Sequence, residues 1–255
     1  MALIKLDIKN KIMTITFSNL GAMGRLGNQL FQLATTIALA TRHNHKYIFP
    51  PWEHESRFNL HGCFSHNFKI NKTYREPGYQ YTQIPININP AEVLDVVGYL
   101  QSYKYFEDCS DLILSLLTPK ITYPIKWDTA SIHCRYGDYA GNPAYNQLDM
   151  PYYHQAMDII KAKKYLIFSD DINKCKQKFI GDQFTFIEEK DPVTALSLMS
   201  SCEHNIIANS SYSWWAAYLN KNPMKQIIAP KQWFGPKLAS THNTKDLIPE
   251  SWVTI

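Results

Sequence analysis

Residues 12–17, Ile-Met-Thr-Ile-Thr-Phe, are apolar or β-branched throughout and read as a buried strand. Past a turn with glycine at 21, 24 and 27, Leu30, Leu33, Ala34, Ile37 and Ala38 recur at helical spacing, which predicts a helix over about 28–42. A short strand follows at 46–49 and ends at Pro50 and Pro51. Residues 52–90 are rich in Asn, His, Pro, Tyr and Gly and show little periodicity, so they read as loops: either a variable acceptor site or an inert irregular surface. An apolar strand spans 93–100, and a helix starting near Lys104 carries Phe106, Leu112, Ile113 and Leu116 inward. The stretch 118–127, with Pro119 and Pro124, is the best linker, dividing the chain into 1–122 and 123–255.

The second half is more regular. Strands are expected at 130–134, 165–168, 184–187, 205–208 and 226–229, with helices near 151–162, 171–179, 192–202 and 211–220 between them. Asp191 followed by Pro192 is a helix start, with Asp as the N-cap and Pro at the first helical position. Strands alternating with helices imply α/β architecture with parallel sheets, and ligands of such sheets bind beyond the carboxyl ends of the strands.

Composition narrows the picture. Of 255 residues, 45% are hydrophobic and 19% charged, which fits a globular chain long enough for a well-buried core. The net charge of +4 is too mild, and its lysines too scattered, to point to nucleic acid, while it suits an anionic ligand. Five cysteines, without a Cys-x-x-Cys pair, argue against zinc or a disulfide framework. The first ten residues have no apolar core of signal-peptide length, and no run is long enough to span a membrane. These features together predict a cytoplasmic protein.

Three glycines between a strand and a helix permit close backbone approach, and the helix start offers free N–H groups to an anion. The spacing Gly21-x-x-Gly24-x-x-Gly27 is neither a P-loop nor the dinucleotide fingerprint. Asn28 either caps the helix or reaches a phosphate or sugar hydroxyl. At the end of the strand 130–134 stands His133-Cys134-Arg135-Tyr136-Gly137-Asp138. Arg135 can fork onto a phosphate pair or form a salt bridge with Asp138, and His133 is either part of the site or a packed polar residue. Phe168-Ser169-Asp170-Asp171 closes the next strand: Asp170 can accept from a base or ribose, while Asp171 suits the cap of the following helix. The adjacent acids are not an Asp-x-Asp metal triplet, and no metal is expected. The segment Asn209-Ser210-Ser211-Tyr212-Ser213-Trp214-Trp215 opens a helix, and its two hydroxyls with free N–H groups would cradle a pyrophosphate. Trp214 and Trp215 read as core.

These segments resemble the alpha-1,2-fucosyltransferases of glycosyltransferase family 11. Gly-Arg-Leu-Gly-Asn-Gln at 24–29 is similar to the family's N-terminal motif and to that of the protein O-fucosyltransferases. Gly98-Tyr-Leu-Gln101-Ser, the Arg135 segment, 168–171 and above all 209–215 match in order. Tyr136 stands where the family pattern has a second Arg. The resemblance implies a GT-B-type fold of two Rossmann-like domains, the N-terminal one reduced and facing the acceptor, the C-terminal one holding GDP-fucose. It implies inverting, metal-independent transfer of L-fucose to a sugar hydroxyl in alpha-1,2 linkage, with a nucleotide-sugar donor, a glycan acceptor and no further cofactor. Arg135, Asn28 and Asp138 are then the catalytic candidates, although Asp138 is only the nearest motif carboxylate and no general base stands out. Gly24, Arg25, Gly27, Gln29, His133, Asp170, Asn209, Ser210 and Ser211 are the donor-binding ones. A transferase using another GDP-6-deoxyhexose or making another linkage, or a catalytically silent nucleotide- or glycan-binding protein, remains the alternative.

Overall fold

Thr14, Ile15 and Thr16 form β1 (Thr14–Thr16), the first of the parallel strands in a computed structural model that describes residues 12–255 apart from 87, 88, 90, 138 and 140. The segment expected to lack a signal peptide, residues 1–10, and the candidate Asp138 lie outside the described residues. After β1 the chain turns into α1 (Leu26–Arg42), two residues earlier than its apolar spacing predicts. Every residue of α1 from Leu26 to Ala40 is buried except Asn28. A helix buried on all sides is a central element rather than a surface one, so its one partly exposed position is informative.

β2 (Lys46–Ile48), β3 (Lys72–Arg75) and β4 (Val93–Val97) complete a four-stranded sheet in the order β2-β1-β4-β3, every pair parallel. β3 was not expected from the sequence: Lys-Thr-Tyr-Arg has no buried face, and it forms an edge strand because β4 supplies its partners. The helix expected from Lys104 begins instead as two tight turns, Tyr103–Tyr105 and Glu107–Cys109, before α2 (Ser110–Leu117). Those turns let consecutive residues Tyr105 and Phe106 both enter the core.

The second sheet has six parallel strands in the order β10-β9-β8-β5-β6-β7: β5 (Lys126–Cys134), β6 (Lys164–Ser169), β7 (Phe184–Phe186), β8 (Cys202–Ile206), β9 (Ile227–Ala229) and β10 (Val253–Thr254). The helices are α3 (Met150–Ile160), α4 (Ile172–Lys178), α5 (Pro192–Ser200), α6 (Ser211–Tyr218) and α7 (Pro236–Ala239). Asp171 and Asp191 cap α4 and α5 as expected, accepting from the N–H of Lys174 and Thr194. None of the described helices is long and apolar enough to cross a membrane.

One apolar core joins the two sheets. Phe31 of α1 lies 4.5 Å from Trp214 and 5.3 Å from Trp215, ring centre to ring centre, and Phe106 stacks on Trp215 at 5.6 Å. Both tryptophans are fully buried, as read from the sequence. Arg57 pairs with Asp191 at 2.8 Å and Lys104 with Asp246 at 2.7 Å, so polar ties between the halves flank the aromatic contact.

Where α1 meets α6, backbone touches backbone. A Cβ on Gly27 would lie 2.6 Å from the carbonyl carbon of Ser211 and 2.7 Å from Cα of Tyr212, with the Tyr212 nitrogen nearer still. Neither neighbour is a side chain that can swing away. In Gly27→Ala the better helix propensity contributes at most about 1 kcal/mol. Overpacking against a fixed backbone costs about 1–3 kcal/mol or more. The clash therefore wins, and Gly27→Ala lowers Tm by roughly 2–8 °C in a thermal melt. An unchanged or higher Tm contradicts the contact.

Candidate active site

Two helix starts meet at the Gly27 contact. The N-caps Arg25 and Ser210 are both extended, and neither offers its side chain to the first turn behind it. Each helix therefore presents first-turn N–H groups and a partial positive charge without a side-chain acceptor of its own. Asn28 sits in the first turn of α1 rather than at its cap, so its capping alternative is set aside. Its Oδ1 accepts from Ser211 Oγ of α6 and from Gln101 Nε2, each at 2.6 Å. One amide oxygen thus ties together α1, α6 and the chain just beyond β4.

Gln101 was not among the expected site residues, although its segment matched the family pattern. Its Nε2 holds Asn28, and its Oε1 accepts from the Tyr79 hydroxyl. Only the fold reveals this, because the partners are 73 and 22 residues away in sequence. Gln29 turns inward: Nε2 donates to the Gly24 carbonyl and Oε1 accepts from Trp52 Nε1. It pins the turn that delivers Gly24 and Arg25 to the helix start. Asn209 is buried and donates to the carbonyls of Asn146 and Trp233, which fixes the loop before Ser210.

The end of β5 faces the same place. Arg135 Nη1 lies 3.0 Å from Asp170 Oδ2, at the end of the neighbouring strand β6. Asp170 also accepts from the backbone N–H of Tyr136 at 2.9 Å and of Gly137 at 3.0 Å. The carboxylate that the sequence offered to a nucleotide base therefore also clamps the Arg135 turn. Arg135 in turn stands over the Tyr139 ring, 5.5 Å from its centre, and Tyr139 donates its hydroxyl to the Asn209 carbonyl at 3.0 Å. Through this ring the guanidinium is tied to the start of α6.

His133 is 5% exposed and its ring lies edge-on to Tyr212 of α6 at 5.8 Å. Burial, with the Arg135 charge beside it, pulls its pKa down to about 4, so the imidazole is neutral near pH 7. Its Nδ1 is buried with no partner among the described residues. Tyr136 turns into the core beneath the strand end, where burial raises its phenol pKa. Lys174 Nζ and Lys178 Nζ of α4 lie 4.5 and 5.5 Å from its ring centre. The strand end that lacks a second Arg still has cations close by. Among the described residues no group of three His, Cys, Asp or Glu side chains converges as a metal-ligand set.

The arrangement collects positive potential, from a guanidinium and two helix starts, around hydroxyls and amides, which suits a pyrophosphate. Comparison with known proteins agrees with the fold and the chemistry. The chain is 28% identical to the Escherichia coli alpha-1,2-colitosyltransferase over 285 aligned positions, covering 91% of this chain and 96% of the relative. It is 33% identical to the Escherichia coli O-antigen biosynthesis glycosyltransferase WbnK, covering 50% of this chain and 45% of that one. The Bos taurus galactoside 2-alpha-L-fucosyltransferase SEC1 is 24% identical, covering 78% of this chain and 63% of the relative. Among solved structures, a mutant of Arabidopsis thaliana FUT1 in complex with GDP superposes with a TM-score of 0.55 at 10% identity, covering 96% of this chain and 77% of that one. The fold is of GT-B type, as the resemblance implied. The family model for glycosyl transferase family 11 matches residues 97–255, more than half of the chain and including Gln101, Arg135, Asp170 and α6. On this evidence the chain belongs to glycosyl transferase family 11 and is a glycosyltransferase.

Proposed function

We propose that the protein transfers L-fucose from GDP-β-L-fucose to a hydroxyl of a galactose-like residue of a glycan, with inversion and in alpha-1,2 linkage. The observation that carries this reading is the junction of two uncapped helix starts at Gly27 and Asn28–Ser211, with Arg135 tied to it through Tyr139. As the bond from the sugar's anomeric carbon to phosphate breaks, its electron pair stays with the diphosphate. Charge then builds where Arg135 and the N–H groups of α1 and α6 already stand, and such preorganised donors stabilise a transition state more than a ground state. The acceptor hydroxyl enters from the face opposite the departing diphosphate, which inverts the anomeric centre.

In this proposal 123–255 holds the donor and 1–122 faces the acceptor. Arg135, Asn28 and the Ser210–Ser211 turn act on the diphosphate; Gly24, Arg25, Gly27, Gln29, His133 and Asn209 shape its pocket. Asp138, three positions after Arg135 in the sequence, keeps its place as a candidate by sequence. The positive groups of the chain itself do the neutralising, so no metal is required. The five unpaired cysteines favour a reducing compartment, in line with a cytoplasmic enzyme.

A second reading concerns the donor sugar, because the colitosyltransferase aligns with 91% of this chain. Product mass with GDP-fucose against GDP-colitose, read together with linkage, decides between them. Calorimetric titration tests the nucleotide: GDP binds and UDP binds at least tenfold more weakly, whereas equal affinities overturn the guanine assignment. Turnover persists in EDTA, and loss on chelation with rescue by Mg²⁺ or Mn²⁺ contradicts the metal-free mechanism.

Two substitutions test the strand end. Arg135→Lys keeps the charge but loses the planar fork. Removing a charge-assisted hydrogen bond costs about 1.5–3 kcal/mol, so kcat falls by roughly ten- to a hundredfold while GDP still binds. A lower Tm with kcat nearly intact leaves Arg135 only its pairing with Asp170. Asp170→Asn removes the charge that holds Arg135 and loosens the Tyr136–Gly137 turn. It weakens GDP and UDP binding by similar factors, about tenfold. A loss confined to GDP assigns the carboxylate to the base instead.

A further inference from the structure

The carboxyl end of β3, next to the end of β4, carries a group that the donor site does not use. Glu76 follows β3 directly, and its N–H donates to the Val97 carbonyl at 2.8 Å. Its side chain crosses Gly98 so closely that a Cβ there would lie 2.5 Å from Oε2. Oε2 accepts the Leu100 N–H at 2.9 Å, and Oε1 faces the Tyr105 hydroxyl at 3.4 Å. Leu100 itself is held at φ +53°, an uncommon conformation for a large side chain and the kind retained where the surroundings impose it. The next residue is Gln101, which reaches Asn28 and through it Ser211. Glu76 therefore stands beside the short bridge that leads from Gln101 through Asn28 to the start of α6.

Aromatic rings surround this point from both halves. The Tyr79 hydroxyl, bonded to Gln101, lies within electrostatic reach of Glu76 and Tyr99 and, from the facing half, of Tyr139 and Tyr145. Tyr139 and Tyr145 stack in parallel, 4.0 Å apart with 2° between planes, and Arg135 stands over Tyr139, so of this pair Tyr145 is the ring with a face to offer. Tyr99 is 41% exposed. Flat ring faces suit the apolar face of a pyranose, while phenols and a carboxylate meet its hydroxyls, the usual division of labour in a small-molecule site.

We propose that Glu76 is the general base for the acceptor, placed in an acceptor-sugar subsite formed by Tyr79 and Tyr99 on one side and Tyr145 on the other. This rests on the transferase reading above. In the step, the acceptor oxygen forms a bond to the donor's anomeric carbon. The bond from that carbon to the diphosphate breaks, its electron pair leaving with the nucleoside diphosphate. The acceptor hydroxyl's proton passes to the Glu76 carboxylate and later to water.

The surroundings fit that task. Burial raises the Glu76 carboxyl pKa from the ordinary 4.5 to about 7, with the Leu100 and Tyr99 N–H groups and Tyr105 pulling the other way. Among the described residues no cation is among the groups that shift it. The titratable groups that face it are the phenols of Tyr74, Tyr79 and Tyr105, all raised by burial and therefore uncharged near neutral pH. A base with a pKa near the working pH is the most effective one. The sign follows: above about pH 7 the carboxylate is ionised and can take the proton, and below it the rate falls as the group is protonated. For stability the sign is the reverse, since the fold favours the protonated acid and loses stability as pH rises from the ordinary 4.5 to about 7.

The test measures GDP release from GDP-fucose with lactose as acceptor and with water alone, from pH 5.5 to 8.5, beside GDP titrations at each pH. Wild-type kcat/KM has an acid limb near pH 7, distinct from the change in GDP affinity that follows ionisation of the terminal phosphate of GDP near pH 6, which wild type and Glu76→Gln share. Glu76→Gln keeps an oxygen for the Leu100 N–H but cannot take a proton. Its kcat falls about a hundredfold or more, its acid limb disappears and its GDP Kd stays within about twofold. A Glu76→Gln enzyme within threefold of wild type, or one that keeps the limb at the same pH, overturns the assignment. So does a parallel loss of GDP binding, which makes Glu76 only the holder of the Gln101 turn. If the variant does not fold, a flat wild-type profile between pH 6 and 8 overturns it equally. Wild type that binds GDP but releases none from GDP-fucose in either arm refutes the fucosyl reading and this base with it.

Discussion

Two helix starts held against each other, backbone to backbone, at Gly27 and Ser211–Tyr212 set the geometry on which everything else here depends. Each helix start carries a partial positive charge of about half an elementary charge. Placing two such ends together, with neither N-cap side chain bonded back, is unfavourable until something negative lies between them. The fold accepts that cost because the same two helices bury Phe31, Trp214 and Trp215 against one another a turn further on. Fully burying a large apolar side chain contributes about 1.5–3 kcal/mol, enough to hold an electrostatically strained junction in place.

From this junction the polar network spreads outward in both halves. Asn28, the one residue of α1 before Thr41 that is not buried, draws Gln101 and Ser211 to a single oxygen. On the other side Asp170 fixes the Arg135 turn, and Tyr139 links Arg135 to Asn209 and so to the start of α6. Residues that the sequence offers as ligand contacts, such as Gln29 and Asn209, spend their amides on backbone carbonyls. Their effect on a ligand runs through the loops they hold. The proposed base, Glu76, extends the same logic: it holds Leu100 in place and stands next to the tyrosines where an acceptor sugar would lie.

Much of this was legible in the chain because it is local. The strand, glycine turn and helix at 12–42, the alternation of the second half, and the caps Asp171 and Asp191 all follow from neighbours within a few residues. β3 escaped notice because its polar residues acquire a strand's partners only from β4. The same holds at the site. Arg135 pairs with Asp170, 35 positions away, and the competing roles of Asp170 as base reader or turn clamp cannot be separated until the strands are adjacent. Glu76 had no signature at all in the loop-like stretch 52–90, since its raised pKa is a product of burial.

The central claim is that the paired helix starts and Arg135 hold a diphosphate, and calorimetric titration with guanosine, GMP and GDP measures it directly. Charge-assisted hydrogen bonds are worth about 1.5–3 kcal/mol each, so GDP should bind at least about a hundredfold more tightly than guanosine, with GMP between them. Guanosine binding within threefold of GDP would contradict the account, because the affinity would then reside in the base and the helix junction would hold nothing.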